Sequence, residues 1–193
     1  MAWRKLVEKF HAAAELELKL SFTLIEHNGG INSTANTDIE RRVINLDISQ
    51  EPSKIALSYC YELMNFNNHS KYQAVILKAK RNEIKAVDYV NSITKIEAEA
   101  ALFRCEAFFS FNQPKESYPG NPNYLKIYEK VISKSEDEKV IAFQRYILDE
   151  GIVRKKFSAK QYYLDSYRYY AGKKAWPEKY DAVENKETYA LKA

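Results

Sequence analysis

The stretch Ile55-Ala-Leu-Ser-Tyr-Cys-Tyr-Glu-Leu-Met-Asn-Phe-Asn-Asn68 constrains the fold more than any other part of the chain. Over 55–66 its apolar residues fall on nearly every side of a helix. A helix of that kind belongs in the interior, not on the surface. It carries one carboxylate, Glu62, in its middle. A buried carboxylate requires hydrogen-bond donors or a proton of its own. Tyr61, Asn65 and an arginine of a later helix are the candidates for that role.

The rest of the chain is read around this helix. Residues 3–15 fit an amphipathic helix, with Trp3, Leu6, Val7, Phe10 and Ala14 at spacings of three and four. From Leu16 to Leu24 the period becomes two, which predicts a strand to about Glu26, with the helix persisting to Leu18 as the alternative. Gly29-Gly30 breaks it, and the polar run Asn32–Asp38 reads as a loop. Arg41 to Ile48 alternates again, with Ile44, Leu46 and Ile48 on one face. Ser49 or Ser53 is placed to cap the central helix, and Pro52 suits its first turn. A long helical region follows over 71–111, broken near Asn82 or Asn91. Gln113–Asn123, with three Pro and one Gly, is a loop. Short helices then close the chain, one of them opened by the capping box Ser135-Glu-Asp-Glu138.

These elements predict an α+β fold: mostly helical, with a small antiparallel sheet near the N-terminus. A length of 193 residues and a hydrophobic content of 46% suit a single domain over 1–193. Its parts are a core over 1–112, a helical extension over 113–176 and a polar tail over 177–193. No apolar run is long enough to span a membrane. The N-terminus lacks the unbroken apolar core of a signal peptide, so a cytoplasmic location is the expectation. Two cysteines, Cys60 and Cys105, give neither a disulfide framework nor a zinc knuckle and read as buried thiols. No GxSxG, phosphate-binding loop or dinucleotide fingerprint is present.

About thirty residues past Glu62 lies Ile96-Glu-Ala-Glu-Ala-Ala-Leu-Phe103. A strand over 42–48, a helix with Glu62 and a later helix with Glu97 resemble, in their order, the zincin metallopeptidases. The resemblance covers roughly residues 40–110. It implies that an edge strand precedes an active-site helix bearing HExxH, in which two histidines bind zinc and the glutamate activates water. A later glutamate supplies the third ligand. Here the HExxH position reads Tyr61-Glu62-Leu63-Met64-Asn65, and the third-ligand position is Glu97. Both histidines are replaced, so the resemblance implies the fold and argues against the hydrolase. Metal and catalytic roles are therefore expected of none of these residues. Glu62, Glu97 and His69 form the relic, or the alternative site of a metallopeptidase or other hydrolase with an atypical site; no cofactor is expected, and zinc is the alternative. His69 would share the face of Asn65 if the helix continued that far. A paired, purely structural Glu97 is the bland alternative, with Arg104 or Arg81 as its partner.

The segment Gly151–Trp176 holds seven Lys or Arg against one Asp, interleaved with aromatics. Arg154, Lys155, Lys156, Tyr162, Tyr163, Arg168 and Tyr169 are its candidate partner-binding residues. Tyr, Trp and Arg anchor protein interfaces, and an acidic protein is the expected partner. Basic and aromatic residues also suit nucleic acid, the less favoured choice. A solvated helix face is the bland reading. The leading expectation is a non-catalytic zincin-like protein that acts by binding another protein, as a bacterial effector or a toxin-neutralising immunity protein would.

Overall fold

The computed structural model describes residues 1–31, 33–153 and 156–180. The architecture is α+β, as expected, with a small sheet near the N-terminus and a mostly helical remainder. The chain divides into two compact units. The first comprises Met1–Ser70 with Ile96–Phe143, and the second comprises Lys71–Lys95 with the chain from Gln144 onward.

In the first unit, helix α1 (Ala2–Val7) and helix α2 (His11–Lys19) precede strands β1 (Thr23–His27), β2 (Ala35–Asp38) and β3 (Val43–Asp47). Helix α3 (Pro52–Asn67) follows. The sheet order is β1-β3-β2. The β2–β3 pair is antiparallel, with Thr37 opposite Ile44, and β1 runs parallel to β3, with Leu24 opposite Ile44. The strand before α3 is therefore the centre of the sheet, not the edge that the zincin resemblance implied. Ile44 and Leu46, on one face of β3, are fully buried.

Two leading expectations give way here for physical reasons, the first of them to its stated alternative. The alternating stretch after Ala14 is helical as far as Lys19, and Leu18 is 89% exposed. Glu, Leu and Lys are strong helix formers, and their propensity outweighs the period of two. The polar run read as a loop contains β2, because pairing with β3 supplies what its local composition lacks. Neither serine caps α3 either: its N-cap is Glu51, whose carboxylate accepts from the Ser53 hydroxyl.

Helix α3 is the centre of this unit. Ile55, Ala56, Leu57, Tyr59, Cys60, Leu63 and Phe66 are all buried. Trp3 of α1 packs on Tyr59 with ring centroids 5.3 Å apart, and Phe22 packs on Phe66 at 5.6 Å. Helix α4 (His69–Lys80) and helix α5 (Ala86–Ser110) come next, separated at Asn82, whose φ of 56° is left-handed. The later part of α5 belongs to the first unit, where Phe103 meets Phe10 at 4.8 Å. Helix α6 (Pro122–Val131) and the first half of helix α7 (Glu136–Glu150) complete it. The capping box forms as expected: Ser135 N–H donates to Glu138 at 3.0 Å, and Glu138 N–H donates to the Ser135 hydroxyl at 3.4 Å.

The second unit contains α4 from Lys71 onward, the start of α5 and the end of α7. A hairpin of β4 (Ile152–Val153) and β5 (Phe157–Ser158) and helix α8 (Ala159–Tyr170) complete its described part. The sequence did not suggest the hairpin. Tyr89 is fully buried, its hydroxyl 3.0 Å from that of Ser166 and its ring 5.5 Å from that of Tyr167.

Gly151 ends α7. A Cβ there would sit 2.3 Å from the Ile147 carbonyl oxygen and 2.9 Å from its Cα. Backbone cannot give way as a flexible side chain can. Gly151→Ala is therefore expected to lower stability by about 1–3 kcal/mol, read as a fall in the urea midpoint. An unchanged midpoint would contradict the close approach.

Candidate functional site

The site is built on α3 from within the first unit. Tyr61 and Glu62 follow each other on the helix, and Asn65 lies one turn beyond Tyr61. The Tyr61 hydroxyl donates to Glu97 Oε2 of α5 at 2.7 Å. The Thr37 hydroxyl of β2 donates to Glu62 Oε2 at 2.6 Å. Asn65 donates a further side-chain hydrogen bond to Glu62. The four residues compared above with a zincin signature thus form two neighbouring pairs, Tyr61 with Glu97 and Asn65 with Glu62, linked by the charge of Glu97 on Glu62.

The electrostatics follow from burial. Loss of hydration pushes the Glu62 carboxyl up to about 7, against the hydrogen bonds from Thr37 and Asn65 that favour its charged form. The negative Glu97 adds to the rise, and Arg104 opposes it. The Tyr61 phenol is pushed well above its ordinary value by burial and by the Glu97 carboxylate beside it. It stays protonated and acts as a donor. The Arg104 guanidinium lies 5.5 Å from the Tyr118 ring centroid, within cation–π range, and its Nε is buried without a hydrogen-bond partner among the described residues.

Of the residues expected to satisfy Glu62, Asn65 does so directly and Arg104 acts through its charge. Tyr61 serves Glu97 instead. Thr37 was missed. It lies in a polar run with nothing in its spacing to mark it, and only strand pairing brings it to α3.

His69 does not extend this site. Helix α3 ends at Asn67, and His69 opens α4. It lines a separate cleft of about 410 Å³ with Leu20, Ile39, Glu40, Arg42, Phe66, Asn67 and Ser70. Cys60 and Cys105 are free and buried, as expected, and burial pushes both thiols up, Cys105 to about 12. Neither is poised as a nucleophile or metal ligand.

The zinc implied by the resemblance does not fit these residues. Its two imidazole positions hold a phenol and a carboxamide, and the phenol proton is committed to the carboxylate that would be the third ligand. Tight zinc binding calls for neutral imidazole or thiolate donors. Among the described residues, no three His, Cys, Asp or Glu side chains assemble into a possible metal site.

The candidate partner-binding residues belong to the second unit. Arg154 and Lys155 lie outside the described residues. Lys156 is exposed, with its ammonium 5.8 Å from the Phe157 ring centroid. Tyr163 is buried, which removes it from any surface. Tyr162 packs edgewise on Trp176 and Tyr180 at 5.6 and 4.9 Å. Asp165 organises this cluster, accepting from Gln161 at 3.0 Å, Arg168 at 3.0 Å and the Tyr180 hydroxyl at 2.9 Å. Burial works to raise its carboxyl, but these bonds outweigh it and hold it below the ordinary value. Arg168 is therefore engaged internally, and Tyr169 is the most exposed aromatic of the group.

No family model, curated protein or solved structure matches the chain. No helix among the described residues is long and apolar enough to cross a membrane.

The raised Glu62 carboxyl has a consequence for stability. The folded protein keeps this proton to about pH 7, whereas an unfolded glutamate releases it near pH 4.3. The stabilisation is complete below the unfolded value and is lost as pH rises through the folded one. Glu62→Gln keeps an acceptor for Thr37 but cannot titrate. Relative to this variant, the wild type is expected to lose on the order of 1–3 kcal/mol between pH 4.5 and 7.5, measured by urea unfolding. Parallel pH profiles of the two proteins would contradict the raised value.

Proposed function

We propose that the protein is a non-catalytic, zincin-like domain that acts by binding another protein. The observation that carries this reading is the 2.7 Å hydrogen bond from the Tyr61 hydroxyl to Glu97. It joins the position of the first missing histidine to the position of the third ligand, by a bond between side chains. The glutamate that would activate water is held by Thr37 at 2.6 Å. In this reading a helix pair of peptidase type carries two half-buried hydrogen-bonded pairs in place of a metal site. Use as an effector or as a toxin-neutralising immunity protein is consistent with a chain whose value lies in its surface. The cytoplasm is the proposed location.

One observation favours a hydrolase instead. A carboxyl titrating near 7 is suited to general base work. Glu62 would then act with Glu97 and an atypical metal.

Back-substitution separates the two. Wild-type protein, purified without chelator and analysed by plasma mass spectrometry, is expected to contain no stoichiometric zinc and to leave a quenched casein substrate intact. The double variant Tyr61→His with Asn65→His restores His–Glu–x–x–His opposite Glu97 and is expected to bind zinc one to one. Stoichiometric zinc in the wild type, lost in Glu62→Ala, would overturn the non-catalytic reading. A folded double variant that binds no zinc would overturn the resemblance itself.

A further inference from the structure

The modest net charge of +4 conceals an uneven distribution. In Lys71–Lys95 together with Gln144–Ala193, seventeen Lys and Arg stand against nine Asp and Glu. In the other unit, thirteen stand against seventeen. The second unit is thus strongly basic and the first is acidic.

Within the basic unit, several of these charges converge on one place. Helix α4 ends at Lys80, followed by Arg81 and Lys85 before α5 begins. The Lys80 ammonium lies 5.7 Å from the centroid of the Tyr170 ring, at the end of α8. The Tyr167 hydroxyl donates to the Ile84 carbonyl at 3.2 Å and accepts from the Lys173 ammonium at 2.9 Å. Lys173 and Lys174 follow α8 in a turn closed on the Arg168 carbonyl, with Gly172 at a left-handed φ of 66°. The ends of α4 and α8 therefore bring Lys80, Arg81, Lys85, Lys173 and Lys174 to one surface. All five are exposed, and none of them makes an ion pair among the described residues. The nearest carboxylates along the chain are Glu83, Asp88 and Asp165, and Asp165 of α8 is taken up by Gln161, Arg168, Tyr180 and Lys179.

Two exposed aliphatic side chains accompany the cations. Leu77, 46% exposed, lies three and four residues before Lys80 and Arg81 and so shares their helix face. Val87, 60% exposed, opens α5 just past Lys85. A phosphodiester backbone offers nothing to an aliphatic side chain. Nucleic-acid binding without sequence preference relies instead on exposed aromatic platforms, and most of the aromatics here pack on one another.

We infer that this surface, formed by the ends of α4 and α8, docks an acidic amphipathic protein segment whose carboxylates meet the lysines and arginine and whose apolar side chains cover Leu77 and Val87. The inference rests on the protein-binding reading above and moves its centre from Lys156 and Tyr162 to Lys80, Arg81 and Lys173. Charge complementarity sets orientation and association rate, and the aliphatic contacts add affinity that salt does not screen.

Fluorescence anisotropy on the full chain tests it, with three labelled probes: a Glu/Leu peptide of amphipathic helical pattern, a poly-Glu peptide of equal charge, and a single-stranded oligonucleotide. The Glu/Leu peptide is expected to bind most tightly. Lys80→Glu with Lys173→Glu should weaken it roughly tenfold or more. Leu77→Ser should remove its advantage over poly-Glu, with circular dichroism confirming that each variant folds. Tighter and steeply salt-dependent binding of the oligonucleotide overturns the inference in favour of nucleic acid. Equal binding by the charge-reversal variant, or no binding of the Glu/Leu peptide at millimolar concentration, overturns it outright. Peptide recovered after binding is weighed by mass spectrometry: cleavage marks failure of the non-catalytic reading, whereas intact but unbound peptide marks failure of the surface alone.

Discussion

The centre of the first unit is constrained by two half-buried carboxylates, Glu62 and Glu97. Helix α3 is apolar on nearly every side and is surrounded by α1, α2, the sheet and α5. Glu62 and Glu97 enter this environment on two of those helices. An ionised carboxylate without partners would be too costly there. Thr37 and Asn65 supply bonds to one, and Tyr61 supplies a bond to the other. The proton that Glu62 retains to about pH 7 is the remaining part of the compensation.

The same network bears on activity. A phenol or hydroxyl whose one proton is held by a carboxylate is a poor metal ligand, unlike an imidazole, which can donate from one nitrogen and ligate with the other. Tyr61 illustrates this. Its phenol proton is held more firmly by burial first and by the neighbouring Glu97 second, and a protonated phenol contributes little to zinc. The chemistry that stabilises the core is therefore opposed to the chemistry of a metallopeptidase on the same helices.

Much of the fold was legible in the sequence where the signal was local. The all-round apolar stretch gave α3, and the alternation of Ile44 and Leu46 gave β3. Ser135 and Glu138 marked the start of α7, and of the two breaks read at Asn82 or Asn91 the one at Asn82 exists, Asn91 lying within α5. What failed was nonlocal. Strand β2 is Ala-Asn-Thr-Asp, and nothing in those residues announces a strand until β3 lies beside them. The parallel pairing of β1 with β3 depends on a connection that periodicity does not encode. Leu16 to Leu20 carried two conflicting signals, and helix propensity won. Of the site, Glu62 and Glu97 were visible as misplaced charges and Asn65 as a neighbour. Thr37 was invisible, because its role exists only through strand pairing. The basic segment was visible as composition, but its geometry was not. Tyr163 turned inward and Arg168 was taken by Asp165, while Lys80 and Lys173, more than ninety positions apart in the sequence, came to the same surface.

On the proposed reading, the hydrogen bonds Tyr61–Glu97 and Thr37–Glu62 stand where a zincin would hold zinc. Crystals of the wild-type protein grown in excess zinc and measured at the zinc absorption edge test this directly. The expected result is a Tyr61 hydroxyl at hydrogen-bond distance from Glu97, with no anomalous peak beside Glu62 or Glu97. A zinc peak ligated by either carboxylate, with the Tyr61–Glu97 bond broken, would contradict it.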